Sequence, residues 1–310
     1  MASKVLFAKA KMRKLEKEDS LPFKFKRALE RSVLKDIVKE GNVVAIKLHV
    51  GDLHGGGFRY VRPIFVKILV DFIKDLGGTP FLTDTWGLKH VVVGLRNGFN
   101  FATIGAPLIP SNGVRENFVY EVELEKYYRL SKIQVAGNVH DADVLVNLAH
   151  FKGHGSCGMG GAIKNIAMGC TGPRTRGEVH GLEKLDNVGR AFQEGLVDAT
   201  RAVLKNKRGK CVHINYVLDV QPSCDCAPWS DIPIAPDIGI LISDDIVAVE
   251  YAALRMVDEA PIIPGSVAEK IGLKPGDNKW FKIHGKDPYI VISAAENAGL
   301  GSRDYELVEV

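Results

Sequence analysis

No stretch of this 310-residue chain approaches the ~18 consecutive apolar residues that cross a bilayer. The opening Met-Ala-Ser-Lys also lacks the apolar segment of a secretory signal. The expectation is a cytoplasmic protein with no membrane partner. One-sided charge is missing too: the formal charge is only +4, which gives no electrostatic ground for binding nucleic acid. The lysines and arginines that bunch between Lys4 and Lys39 read as a solvated helix face. Cysteine is scarce and odd in number, with Cys157, Cys170, Cys211, Cys224 and Cys226, and in a reducing compartment these stay thiols. Internal repeats, low-complexity tracts and a clear linker are absent. One domain over 1–310 is therefore expected, any subdivision being lobes near 1–150 and 151–310.

Apolar residues make up 46% and charged residues 25%, which suits a soluble globular protein with a sizeable core. Val43 to Val50 is a short β-branched run before a glycine cluster and reads as a buried strand. Arg62 to Leu76 has helical spacing, with Pro63 in the first turn and Gly77-Gly78 as the stop. Thr79 to Thr83 then completes a strand–helix–strand unit. Further strands are expected at Val119–Glu123, Lys132–Ala136, Val144–Leu148, Val212–Leu218 and Ile238–Ile242. Helices are expected at Ala162–Met168, Gly189–Leu204, Ile246–Val257 and Tyr289–Ala298. This alternation predicts an α/β fold with a largely parallel sheet flanked by helices.

In such sheets ligands collect where strands hand over to helices, and two junctions qualify. The first runs from His49 to Arg62 and contains Gly55, Gly56, Gly57 and Arg59. Its backbone N–H groups could approach an anion beside a helix N-terminus, although a flexible turn with surface arginines is the competing reading. The second is the segment from Val144 to Gly181, where Lys152, His154, Cys157, Lys164 and Asn165 are interleaved with glycine. Glycine recurs where backbone must approach something closely. Gly153, Gly155 and Gly158 formally match the dinucleotide fingerprint, but Thr171 to Gly177 is polar where a second strand should follow. No Gly-Lys-Ser/Thr ends the glycine run, so a Walker loop fails as well.

Cys224-Asp225-Cys226 lies in the proline-bounded stretch from Pro222 to Pro236, the best candidate for a long functional loop. Two thiols so placed can turn toward one ion, and thiolates select zinc or iron–sulfur centres. With Cys170 and His180 they would make a tetrahedral set, although the spacing matches neither a zinc ribbon nor a ferredoxin run. Reduced, non-ligating cysteines are the alternative. Cys211 opens an apolar strand and reads as core.

The segments Asn147 to Cys170, Ile214 to Asp237, Gly239 to Ala253 and Ala295 to Leu307 resemble the family called domain of unknown function 362, often joined to a ferredoxin module. Lys47, Gly77-Gly78 and Asp84 look like its N-terminal landmarks. Cys170, Cys224 and Cys226 match positions that the family pattern also holds as cysteine, so the resemblance implies a metal or cluster there. Related chains insert ferredoxin-type cysteine runs after the equivalent of His180, whereas Gly181 to Lys210 here has no cysteine. Any redox turnover would then need a separate electron donor. A fold-level likeness to nickel-pincer lactate racemases is remote, and no activity is carried over from it.

The sequence thus points to a cleft between the two junctions, in an enzyme acting on a small anionic substrate. Lys164 would neutralise the substrate or act as a base. His154 would exchange a proton near neutral pH, and Asn165 and Lys152 would complete the lining. Gly55, Gly56, Gly57, Arg59, Gly160, Gly161 and Asp84 would contact the ligand, with Asp84 orienting a cation. Cys170, Cys224, Cys226 and His180 would hold an iron–sulfur cluster or a single metal. The competing class is a non-catalytic carrier of metal or cluster.

Overall fold

β-Branched and aliphatic runs that alternate between two buried faces build the centre of the molecule. In the computed structural model, which describes residues 2–51, 58–227 and 230–310, the strands are β1 (Ser3–Lys9), β2 (Val43–Lys47), β3 (Thr79–Asp84), β4 (Leu108–Pro110), β5 (Val119–Glu123), β6 (Lys132–Ala136), β7 (Val144–His150), β8 (Lys152–His154), β9 (Gly158–Gly160), β10 (Cys211–Val217), β11 (Gly239–Ser243) and β12 (Tyr305–Glu309). Eight of them form one sheet in the order β12-β1-β11-β10-β7-β2-β3-β4. β11 runs antiparallel to both β1 and β10, and every other neighbouring pair is parallel. The expected α/β fold with a largely parallel sheet is what the chain forms. Strands from both halves of the chain share this sheet, and β7 pairs with both β2 and β10.

Period-two alternation along β7 sends Val144, Val146 and Leu148 to one core and Leu145 and Ala149 to the other. The first core lies under the helices Leu21–Arg31 and Pro63–Asp75. The second lies under Ala162–Gly169, Arg190–Leu204, Ile246–Glu259 and Tyr289–Asn297. The basic N-terminal stretch is only partly a solvated face. Leu21, Phe25, Ala28 and Leu29 of its helix are buried, and so is Lys24, which reaches the Lys11 carbonyl (3.0 Å) and Asp19 (2.9 Å).

The crossover after β2 places the Pro63–Asp75 helix on one face, and the segment after β7 places Ala162–Gly169 on the other. β2 and β7 are sheet neighbours, so a crevice opens between their carboxyl ends, the position where doubly wound sheets bind ligands. β5 and β6 match the expected bounds but pair with each other in a separate antiparallel ribbon. β8 and β9 form a second small ribbon over the crevice. Among the described residues no helix is long and apolar enough to cross a membrane.

Candidate metal and anion site

The carboxyl ends of the four contiguous parallel strands β10, β7, β2 and β3 surround a cavity of about 380 Å³. Into it these strands and their loops bring Lys47 and His49, Asp84, Lys152 and His154, and Cys224 and Cys226. Lys164 and Asn165 enter from the Ala162–Gly169 helix, and Arg176 and His180 from the Pro173–Gly181 helix. The structure therefore gathers Lys152, His154, Lys164, Asn165, Gly161, Asp84, Cys224, Cys226 and His180 around one space.

The Cys224-Asp225-Cys226 segment is a tight turn, closed by the Ala227 N–H donating to the Cys224 carbonyl (2.8 Å). Asp225 points away from the cavity and anchors the turn. Its Oδ1 lies 2.7 Å from His150 Nδ1 and accepts from Gln221 Nε2 (2.8 Å), while Oδ2 lies 3.2 Å from Lys152 Nζ. Burial alone would raise this carboxyl, but His150 and Lys152 outweigh it and bring it to about 2. The two thiols are left facing the cavity, where Cys224, Cys226 and His49 place their donor atoms within 4.8 Å of one another. Cys226 donates to Cys224 and holds that thiol well below its usual range, against burial and with help from Lys164; the same hydrogen bond, and then burial, raise Cys226. A thiolate next to a thiol and an imidazole is a donor set that a soft or borderline ion satisfies.

This group differs from the set expected from the sequence. Cys170 is absent from it: it caps the Ala162–Gly169 helix, donates its N–H to Ile166 (2.9 Å) and accepts from Ala136 N–H (2.8 Å). It is fully buried among apolar side chains, which push its thiol up to about 12. His180 lines the cavity, but its Nδ1 is 2.6 Å from Glu183 on the half-exposed rim. His49, the third donor, was missed, because only the pairing of β2 with β7 and of β7 with β10 brings it to the distant Cys224–Cys226 turn.

The rest of the lining is rich in cations. Lys47 Nζ donates to Asn165 Oδ1 (2.7 Å) and Leu48 O (3.0 Å), and lies 3.2 Å from Asp84. Asn165 is saturated, since its amide also donates to Asn147 Oδ1 (2.8 Å) and Lys47 O (3.1 Å). It therefore fixes Lys47 rather than standing free for a ligand. Burial would raise Asp84, but Lys47 and His90 (3.3 Å) hold it well below the carboxylate range, so the cations it orients are protein side chains. Burial and Lys164 lower His154 to about 4. Its Nδ1 accepts the Ser156 N–H (3.2 Å), which leaves Nε2 as a donor. A ring lowered that far is neutral near pH 7, and its side-chain hydrogen bond goes to Cys224. Lys152 stays charged, because Asp225 and the cysteines outweigh its burial.

The glycines serve the walls. A Cβ on Gly161 would collide with the Glu250 carboxylate, which accepts the Ala162 N–H (2.7 Å) and Ile163 N–H (3.2 Å) and so seats the helix that carries Lys164. A Cβ on Gly169 would collide with the Lys47 stem, and one on Gly160 would stand 3.4 Å from both Lys152 and Lys164. Gly55, Gly56 and Gly57 lie outside the described residues. Arg59 does not line the cavity, and its guanidinium is 3.4 Å from Asp219 beyond the end of β10.

The model of the family described as "Domain of unknown function (DUF362)" matches residues 44–255, a span that holds every lining residue named above. The chain belongs to the DUF362 family. Among curated proteins, this DUF362 chain is 24% identical over 247 residues to a thylakoid-associated protein of Synechocystis, covering 77% of this chain and 71% of that one. Among solved structures, a protein from Thermotoga maritima aligns with a TM-score of 0.46 at 15% identity, over 66% of this chain and 52% of that one. The lactate racemase apoprotein from Thermoanaerobacterium thermosaccharolyticum aligns at 0.41 and 16% identity, over 70% and 51%. The DUF362 chain thus spans about half the length of both solved chains.

Proposed function

We propose that this DUF362 protein is a metal-dependent enzyme acting on a small anionic substrate bound at the carboxyl ends of β2, β7 and β10. The observation that carries the reading is the meeting of His49, Cys224 and Cys226 within 4.8 Å on the wall of a cavity that Lys164 also lines. Two thiolates, Cys226 releasing its proton to solvent on loading, and one imidazole suit a single tetrahedral ion with one exchangeable position. Coordination through either ring nitrogen of His49 would displace the Gly51 N–H from Nδ1 (3.0 Å), since binding at Nε2 moves the ring proton to Nδ1. An ion held there would supply a Lewis acid beside the substrate.

The remaining chemistry belongs to the chain. Lys164 pairs with the substrate's negative charge, and His154, hydrogen-bonded to Cys224, orients that sulfur. Lys152 neutralises Asp225 and so keeps the thiol turn in place. Lys47, fixed by Asn165 and Asp84, adds positive potential behind the substrate. A three-donor site also exchanges its ion readily, which supports a second reading as a metal carrier. Cobalt(II) loading followed by absorption separates the two. Thiolate charge-transfer bands should appear in the wild type and shift when inorganic phosphate is added, and Lys164→Ala should remove the shift but keep the bands. Bands that ignore phosphate favour the carrier, and no bands at all would overturn both readings.

A further inference from the structure

Two strained residues meet beside the cavity, Trp86 in the loop after β3 and Glu116 in the loop after β4. Trp86 has φ 76° and Glu116 φ 59°, and bulky residues stay in that left-handed region only where their surroundings over-determine them, often at ligand clamps. Here the two strained residues hold each other, since the Trp86 N–H donates to Glu116 Oε1 (3.0 Å). The same oxygen accepts from Arg176 Nη2 (2.6 Å). One carboxylate therefore fixes an aromatic plate and a guanidinium together.

The indole lies over His90, ring centres 4.8 Å apart with a 39° tilt, and remains 36% exposed where it lines the cavity. His90 backs it from the buried side, its Nε2 3.3 Å from Asp84 and its Nδ1 without a hydrogen bond. Lys164, across the same cavity, has no acidic partner among the described residues.

We propose that the cavity takes a planar aromatic carboxylate, its ring against the exposed part of Trp86 and its carboxylate toward Lys164 and Arg176. This rests on the anion-binding reading above and narrows it to a substrate class. A flat apolar plate fixed to a cation is complementary to a ring that bears a carboxylate, whereas a phosphate or a short aliphatic acid would leave the indole unused.

Calorimetric titration of the purified full chain, with the metal it carries, tests the proposal using benzoate, cyclohexanecarboxylate and inorganic phosphate. Benzoate should bind roughly three- to tenfold more tightly than cyclohexanecarboxylate, the range expected of an aromatic pair. Trp86→Phe should keep the preference, and Trp86→Ala should abolish it without weakening phosphate. Trp86→Leu, which keeps the bulk and loses the ring, replaces the alanine variant should that one fail to fold. Equal affinity for the two acids in the wild type, or a preference that survives Trp86→Leu, would overturn the proposal while leaving the anion site intact. Failure of all three probes to bind would overturn both.

Discussion

At the residue scale, the two kinds of cysteine make opposite predictions. Cys226 faces the cavity beside Cys224 and His49, whereas Cys170 sits in apolar core. Cys170→Ala should cost stability, about 1–2 kcal/mol for a small lost contact, with metal content unchanged. Cys226→Ser should leave stability nearly untouched and lower metal content sharply. Chemical denaturation and elemental analysis of both variants check this. Lys47 is a different case, because removing it leaves Asp84 and the Asn165 carbonyl buried without their cation. Lys47→Met should cost about 3–5 kcal/mol in the same denaturation experiment. A cost below about 1 kcal/mol would mean that His90 alone satisfies Asp84.

His213, beside the core thiol of Cys211 (3.9 Å) and not among the residues that line the cavity, supplies a pH test. Burial lowers it from 6.5 to about 3, and its Nδ1 accepts from Asn147 Nδ2 (3.1 Å). The folded state keeps the ring neutral while the unfolded chain takes up a proton below 6.5. Its contribution to stability is therefore full above pH 6.5 and is lost as pH falls toward 3, with a slope of up to about 1.4 kcal/mol per pH unit. His213→Gln keeps an acceptor for Asn147 and cannot charge, so its stability curve should be flatter between pH 6.5 and 3. Parallel curves for the two proteins would contradict the assignment.

At the element scale, the Ala162–Gly169 helix is seated by Glu250 against Gly161 and crossed by Lys47 at Gly169. Gly161→Ala should displace Glu250, cost about 1–3 kcal/mol and disorder Lys164. Melting temperature, together with loss of phosphate binding, reports it. This helix was legible as Ala162–Met168 because its apolar spacing is regular, and β7 was legible because its alternation continues to His150. β8 and β9 were not. Each is three residues long and glycine-rich, and both are held by tertiary contacts such as the Gly153 N–H donating to Gln221 O (2.9 Å). The helix at Leu21–Arg31 went unread as a core element because its charge pattern hid a buried face of Leu21, Phe25, Ala28 and Leu29.

At the scale of the whole molecule, alternation of strands and helices was enough for the fold class, and the glycine-rich junction after β7 marked one wall of the cavity. The strand order was not in the local pattern, and with it went the partners that only strand order reveals. His49 joins Cys224 and Cys226 because β2, β7 and β10 are consecutive in the sheet. His90 and Arg176 reach the cavity from the helices Leu88–Arg96 and Pro173–Gly181, which went unread in the sequence, and Trp86 from a loop. Cys170 lies close in sequence to the glycine-rich junction, but its helix end turns into the core.

The central claim is that one ion is held by His49, Cys224 and Cys226. Elemental analysis of anaerobically purified wild-type protein beside His49→Ala, Cys226→Ser and Cys170→Ala tests it most directly. About one thiophilic metal ion per chain is expected in the wild type and in Cys170→Ala, and sharply less in the other two. Substoichiometric metal of every kind in the wild type, or full occupancy surviving both His49→Ala and Cys226→Ser, would contradict it.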